Sequence, residues 1–243
     1  MSTHYNKRPL EDEDSSNDKS RKKSKCVRSD IIVPDKYEKL IFRVGDAEIH
    51  FNAPVDTETI SRLKKLISVI ISNNKDKLVK FNGNGKVPDE YEKESNFIIT
   101  YIVNSPGGSV HDVLDFVDYI NVLRSKFANI KFTSIITGMV ASAGTIMCII
   151  ADKKLMTRFA FAMIHELSAG LTRTNYTRIL THSEFIQNIH RALVTIYQEY
   201  RGISMDNADE IKKLEELLIR ETWMTAEQYK NHGFIDNIIA NKK

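Results

Sequence analysis

Two cysteines in 243 residues, Cys26 and Cys148, are too few for a disulfide framework. One lies in a polar stretch and the other in an apolar one, so a reducing compartment is expected. No apolar run approaches the roughly 20 residues that span a bilayer. No charged-then-apolar leader opens the sequence. Charge imbalance is missing too: 35 Lys and Arg against 32 Asp and Glu leave a formal +3, which gives no whole-molecule surface for nucleic acid. The Walker spacing of a phosphate loop is also lacking. Asn82-Gly83-Asn84-Gly85-Lys86 comes nearest, but no helix follows and it reads as a plain loop. The expectation is a soluble intracellular protein with no cofactor or metal of its own.

What is present is enough apolar material for a buried core, 42% of all residues, unevenly spread. Residues 1–30 have almost none and are expected to form a disordered, mixed-charge tail. In that tail Lys7-Arg8 and Arg21-Lys22-Lys23-Ser24-Lys25 flank the acidic Glu11-Asp12-Glu13-Asp14. Two basic clusters with a spacer resemble a bipartite nuclear-localisation signal, and they suit a solvated extension equally well. Location is therefore cytoplasmic, or nuclear if the clusters act as a signal. The folded domain is expected over residues 31–243.

Along that domain, 39–44 and 47–51 read as short strands around Gly45-Asp46. Ile60, Leu63, Leu66, Ile67, Ile70 and Ile71 form a helical stripe that Asp56 or Thr57 can cap. Residues 72–96 are polar and read as a surface insertion. Strands are expected at 97–103, 132–136 and 159–164, with a helix through Val110, Leu114, Val117, Ile120 and Leu123 between the first two. A long helix from Asn175 to Tyr200 and another over 205–218 follow. Strands alternating with helices indicate an α/β fold with a parallel sheet.

The chain is organised around Thr137-Gly138-Met139-Val140-Ala141-Ser142-Ala143-Gly144. A β-branched strand precedes it and the apolar run 145–150 follows, which predicts strand, tight glycine turn, then helix. Ser142 falls near the helix start, where free N–H groups favour developing negative charge. Upstream, one strand ends in Asn104-Ser105-Pro106-Gly107-Gly108. Downstream, another delivers Met163-Ile164-His165.

This set resembles the Clp protease proteolytic-subunit family, which has a strand ending in N-S-P-G-G, a serine in G-x-x-A-S, and M-I-H, in that order. The resemblance covers residues 47–240. It implies a crotonase/ClpP-like α/β fold with repeated β-β-α units and a protruding handle helix, here 175–200. It implies Ser142 as nucleophile, His165 as base, and the backbone N–H groups of Gly108 and Ala143 as the oxyanion hole. The family's acid is an aspartate two positions before an aromatic; counting back from Trp223 gives Glu221. Position 143 is usually larger in the family, and Asp236 belongs to a separate structural motif.

The resemblance further implies a serine endopeptidase acting on unfolded or delivered polypeptides inside stacked homo-oligomeric rings, fed by a partner AAA+ unfoldase. A phage-type capsid-maturation (prohead) protease and a catalytically weak structural ring subunit remain as alternatives. Signal-peptide peptidases of related fold use a lysine base and a membrane anchor, and acyl-CoA enzymes of the crotonase type need neither Ser142 nor His165.

Overall fold

In the computed structural model, residues 36–81, 85, 86, 96–170, 173, 175–204 and 206–239 are described. The tail with its two basic clusters, and residues 82–84 and 87–95 of the anticipated insertion, lie outside them.

Gly45-Asp46 folds the first strands into a hairpin, β1 (Ile41–Val44) antiparallel to β2 (Glu48–Phe51). Helix α1 (Thr57–Asn73) starts at Asp56. Its carboxylate accepts the Thr59 N–H at 2.9 Å, and the Thr59 hydroxyl oxygen accepts the Asp56 N–H at 2.9 Å. The stripe Ile60, Leu63, Ile67 and Ile70 is buried against the sheet, while Leu66 and Ile71 lie at its margin. Then come β3 (Phe97–Ser105), α2 (Val110–Lys126), β4 (Ile130–Ala141), α3 (Ala143–Ile149), β5 (Lys153–Thr157) and β6 (Phe161–Ile164). The chain continues with α4 (Tyr176–Arg201), α5 (Ala208–Ile219), β7 (Thr222–Thr225), α6 (Ala226–Asn231) and β8 (Asn237–Ile239). The sheet runs β1-β2-β3-β4-β5-β8, parallel from β2 onward. Strands β6 and β7 branch from the far end of β4.

Strand β4 departs from the sequence reading. The expected tight turn at Gly138 is absent, and the strand continues to Ala141. Val103 pairs with Ile136 and Ser105 with Val140, so two steps along β3 match four along β4. The surplus is a bulge at Gly138, which adopts φ +59°. Asn104 holds it by accepting the Met139 N–H on Oδ1 at 3.2 Å. Before the bulge β4 pairs with β5; after it, with β6. The bulge therefore re-aims the strand end that carries Ser142.

The sequence reading has no β5, because Lys153-Lys154-Leu155-Met156-Thr157 lacks an apolar pattern and only Met156 is buried. Its place is fixed by neighbours on both sides. Asp236 takes part in that fixing: its Oδ2 accepts the Lys154 N–H at 2.8 Å, and its own N–H donates to Lys154 O at 2.9 Å. The expected strand at 159–164 begins two residues late, at Phe161. Cys148 is buried in α3, and burial pushes its thiol pKa far up, so it is an unreactive core residue.

Helix α4 divides into two halves. Ile189, Val194, Ile196 and Tyr197 are buried against the domain. Tyr176, Ile179, Leu180 and Phe185, in its first half, are between 45% and 75% exposed. Asn175 caps its start, and Gly202, left-handed at φ +68°, ends it.

Candidate active site

Ser142 forms the corner between β4 and α3. It adopts φ 51° and ψ −128°, a region closed to most non-glycine residues and worth about 1–3 kcal/mol of strain. Neighbours over-determine it. Its N–H donates to Met163 O on β6 at 2.9 Å, and its carbonyl accepts from the Thr145 N–H at 2.9 Å and the Thr145 hydroxyl at 2.6 Å. With that proton committed, Tyr197 OH donates to Thr145 Oγ1 at 2.6 Å, tying the corner to α4. Neither Thr145 nor Tyr197 carries a motif signal in the sequence; only the fold reveals their part.

His165 follows β6 directly, and its Nε2 lies 2.6 Å from Ser142 Oγ. That is hydrogen-bond distance for a hydroxyl giving its proton to an imidazole. Strand β6 pairs with β4 beyond the bulge, Ala141 opposite Met163, which sets the two side chains together.

Gly107 and Gly108 come from the end of β3. A Cβ on Gly107 would stand 2.5 Å from Ala141 O and 2.7 Å from Ser142 Cβ, so no larger residue lets this loop rest on the serine corner. A Cβ on Gly108 would meet Val55 O at 2.2 Å. Val55 donates to Gly107 O at 2.9 Å and accepts from the Ser109 N–H at 2.8 Å. This parallel bridge turns the Gly108 N–H away from Val55. Ala143 is the first residue of α3, where N–H groups have no partner within the helix. Gly108, Ala143, Ser142 and His165 all line one cavity of about 110 Å³. Val113, Ile146, Leu193 and Leu218 are part of its apolar wall.

Glu221 is placed differently. Strand β7 pairs with β6 as far as Ile164 opposite Thr222, so Glu221 and His165 are the residues just beyond the paired ends of the two strands. The Glu221 side chain does not complete the trio: it is exposed, and among the described residues it makes no hydrogen bond to His165. The reason lies in helix α5. Glu221 is the residue after the C-cap Arg220, with φ 48°, and its N–H donates to Leu218 O at 3.2 Å while the Thr222 hydroxyl donates to Leu217 O at 2.8 Å. This left-handed terminating position is usually filled by glycine or asparagine, and here it holds the carboxylate in solvent. Among the described residues, no group of three His, Cys, Asp or Glu is close enough to hold a metal ion, and no helix is long and apolar enough to cross a membrane.

Residues 89–242, more than half of the chain, match the Clp protease family model. The sequence is 31% identical over 144 residues to the ATP-dependent Clp protease proteolytic subunit 1 of Chlamydia abortus, covering 58% of this chain and 69% of that protein. It is 32% identical over 152 residues to the ATP-dependent Clp protease proteolytic subunit of Streptococcus pneumoniae, covering 61% and 72%.

Proposed function

This chain belongs to the Clp protease family and is a serine-type peptidase, and on that premise we propose that Ser142 attacks the scissile carbonyl with His165 as its base. The observation that carries the reading is the 2.6 Å contact between Ser142 Oγ and His165 Nε2, at a strained corner lining an apolar cavity. His165 takes the hydroxyl proton and returns it to the leaving amine, and the Gly108 and Ala143 N–H groups stabilise the oxyanion. A fluorophosphonate or β-lactone probe tests it: wild type should label at Ser142 and Ser142→Ala should not. Labelling that persists in the variant would reject the assignment.

Glu221 is proposed as the orienting acid, supported by its place next to the Ile164–Thr222 pair, at the end of β6 that carries His165. In that role it must leave the solvent-facing orientation, and its two duties then conflict. Glu221→Gln is expected to lower kcat by about 10⁴, as loss of an imidazole-orienting carboxylate does elsewhere. Glu221→Gly should stabilise the fold by about 1 kcal/mol, because glycine suits the left-handed position, while losing the same activity. Unchanged kcat in Glu221→Gln, measured on a tripeptide substrate, would leave Glu221 as a helix terminator only.

The chain is further proposed to work as a homo-oligomer of stacked rings enclosing the sites, with a partner ATPase delivering polypeptides. Support comes from the exposed first half of α4, where Tyr176, Ile179 and Leu180 offer more apolar surface than a monomer usually leaves uncovered. Ile179→Glu with Leu180→Glu should lower the sedimentation coefficient with circular dichroism intact. Ile189, 8% exposed, is a core residue, and Ile189→Asp should instead unfold the domain, costing roughly 3 kcal/mol or more. A fully active wild-type monomer in the ultracentrifuge would sink the ring assembly.

A further inference from the structure

The cavity beside Ser142 does not end at its apolar wall. From α4 it takes His190, Leu193 and Tyr197, spaced three and four apart and so on one helix face. The Tyr197 hydroxyl is already bound to Thr145. His190, at the other end of the stripe, is half-buried, and among the described residues its imidazole has no hydrogen-bond partner. It also lines a second, more open cavity of about 440 Å³, which shares Glu166, Leu167 and His190 with the first and adds Ile186, Gln187, Arg191 and Glu215. The imidazole thus stands where the two cavities meet.

Size decides how a substrate can use the pair. The first chamber, about 110 Å³, is smaller than the roughly 150 Å³ that holds a benzene ring. A large side chain entering beside Ser142 therefore has to run on along His190 into the second cavity. There it meets the imidazole and, around the second cavity, the carboxylates of Glu166 and Glu215 with the Arg191 guanidinium. We infer that His190 is a specificity-determining residue that selects, on the acyl side of the scissile bond, long side chains with an apolar stem and a neutral or cationic hydrogen-bonding end. Aliphatic side chains of leucine size fill the first chamber alone. Anionic ends are repelled by Glu166 and Glu215. This inference rests on Ser142 being the nucleophile, since that fixes which substrate side chain faces the cavity.

The test uses full-length protein and peptides differing only at the acyl-side residue, compared by kcat/KM. Tyrosine should exceed phenylalanine by about fivefold, the size of one net hydrogen bond, and glutamine should exceed glutamate. His190→Leu should bring the tyrosine-to-phenylalanine ratio to about one. His190→Gln, which keeps a hydrogen-bonding end, should retain a ratio above one and guards against a folding artefact. A ratio of one in the wild type, or a ratio unchanged by His190→Leu, overturns the assignment while the peptidase reading stands. Absence of Ser142-dependent cleavage of every peptide overturns that reading, and the specificity with it.

Discussion

Ser142→Ala is expected to reduce peptide hydrolysis by roughly 10⁴–10⁶-fold, and His165→Ala by a similar factor, with the double variant no worse than either alone. In the proposed mechanism the two side chains act as one unit, so the second removal has nothing left to take. The contact at 2.6 Å is the physical basis. Stability should move differently. Ser142→Ala keeps the Met163 and Thr145 backbone bonds that hold the corner, and the strain at φ 51° stays, so the melting temperature should change little. Ser142→Gly should relieve strain of about 1–3 kcal/mol and raise it. Steady-state kinetics beside thermal melts would check both. Residual turnover in purified Ser142→Ala within tenfold of wild type would remove Ser142 from the chemistry.

Most of the elements around that pair are legible in the sequence, because each is fixed by local chemistry. Asp56 caps α1, the stripe from Ile60 to Ile70 is buried, and the β-branched runs at 98–103 and 132–136 are strands. The bulge is not legible. Thr137-Gly138-Met139 reads as a turn on its own, and only the pairing of β3 with β4, and the Asn104 side chain at the extra residues, keep it extended. The same holds for β5, which depends on β4 and β8 rather than on its own pattern.

Glu221 shows a different limit. Counting back from Trp223 finds Glu221, one residue beyond the last pair of β6 with β7, Ile164 with Thr222. Counting does not reveal that α5 ends at Arg220, so that the next residue takes the left-handed conformation. Position in the sequence and direction of the side chain are set by different forces here. Likewise α4 reads in the sequence as one long helix, while the domain buries Ile189, Val194, Ile196 and Tyr197 in its second half and leaves its first half bare. The surface left for the proposed assembly is therefore Tyr176, Ile179 and Leu180 with Phe185, and Ile189 belongs to the core.

Gly108→Ala carries the second large effect. The added carbon would meet Val55 O at 2.2 Å and the Val55 backbone N and C at 3.0 Å, all main-chain atoms that no rotamer change can move. Gly108 also has φ 150°, which an alanine adopts only with strain. The bridge to Val55 has to open, and the Gly108 N–H turns with it. Loss of one oxyanion donor costs about 10²–10³ in kcat, and KM should change far less, because in the proposed role the donor serves a charge that exists only in the transition state. Some stability is lost as well, about 1–3 kcal/mol for a forced backbone shift. The adjacent residue separates the two effects. The Ser109 hydroxyl oxygen accepts the Asp112 N–H at 3.3 Å as the cap of α2, so Ser109→Ala should cost about 1 kcal/mol of stability and leave kcat near wild type. If Gly108→Ala and Ser109→Ala lose stability alike but only the first loses kcat, the donor is catalytic. Full kcat in a folded Gly108→Ala protein would move the oxyanion site elsewhere.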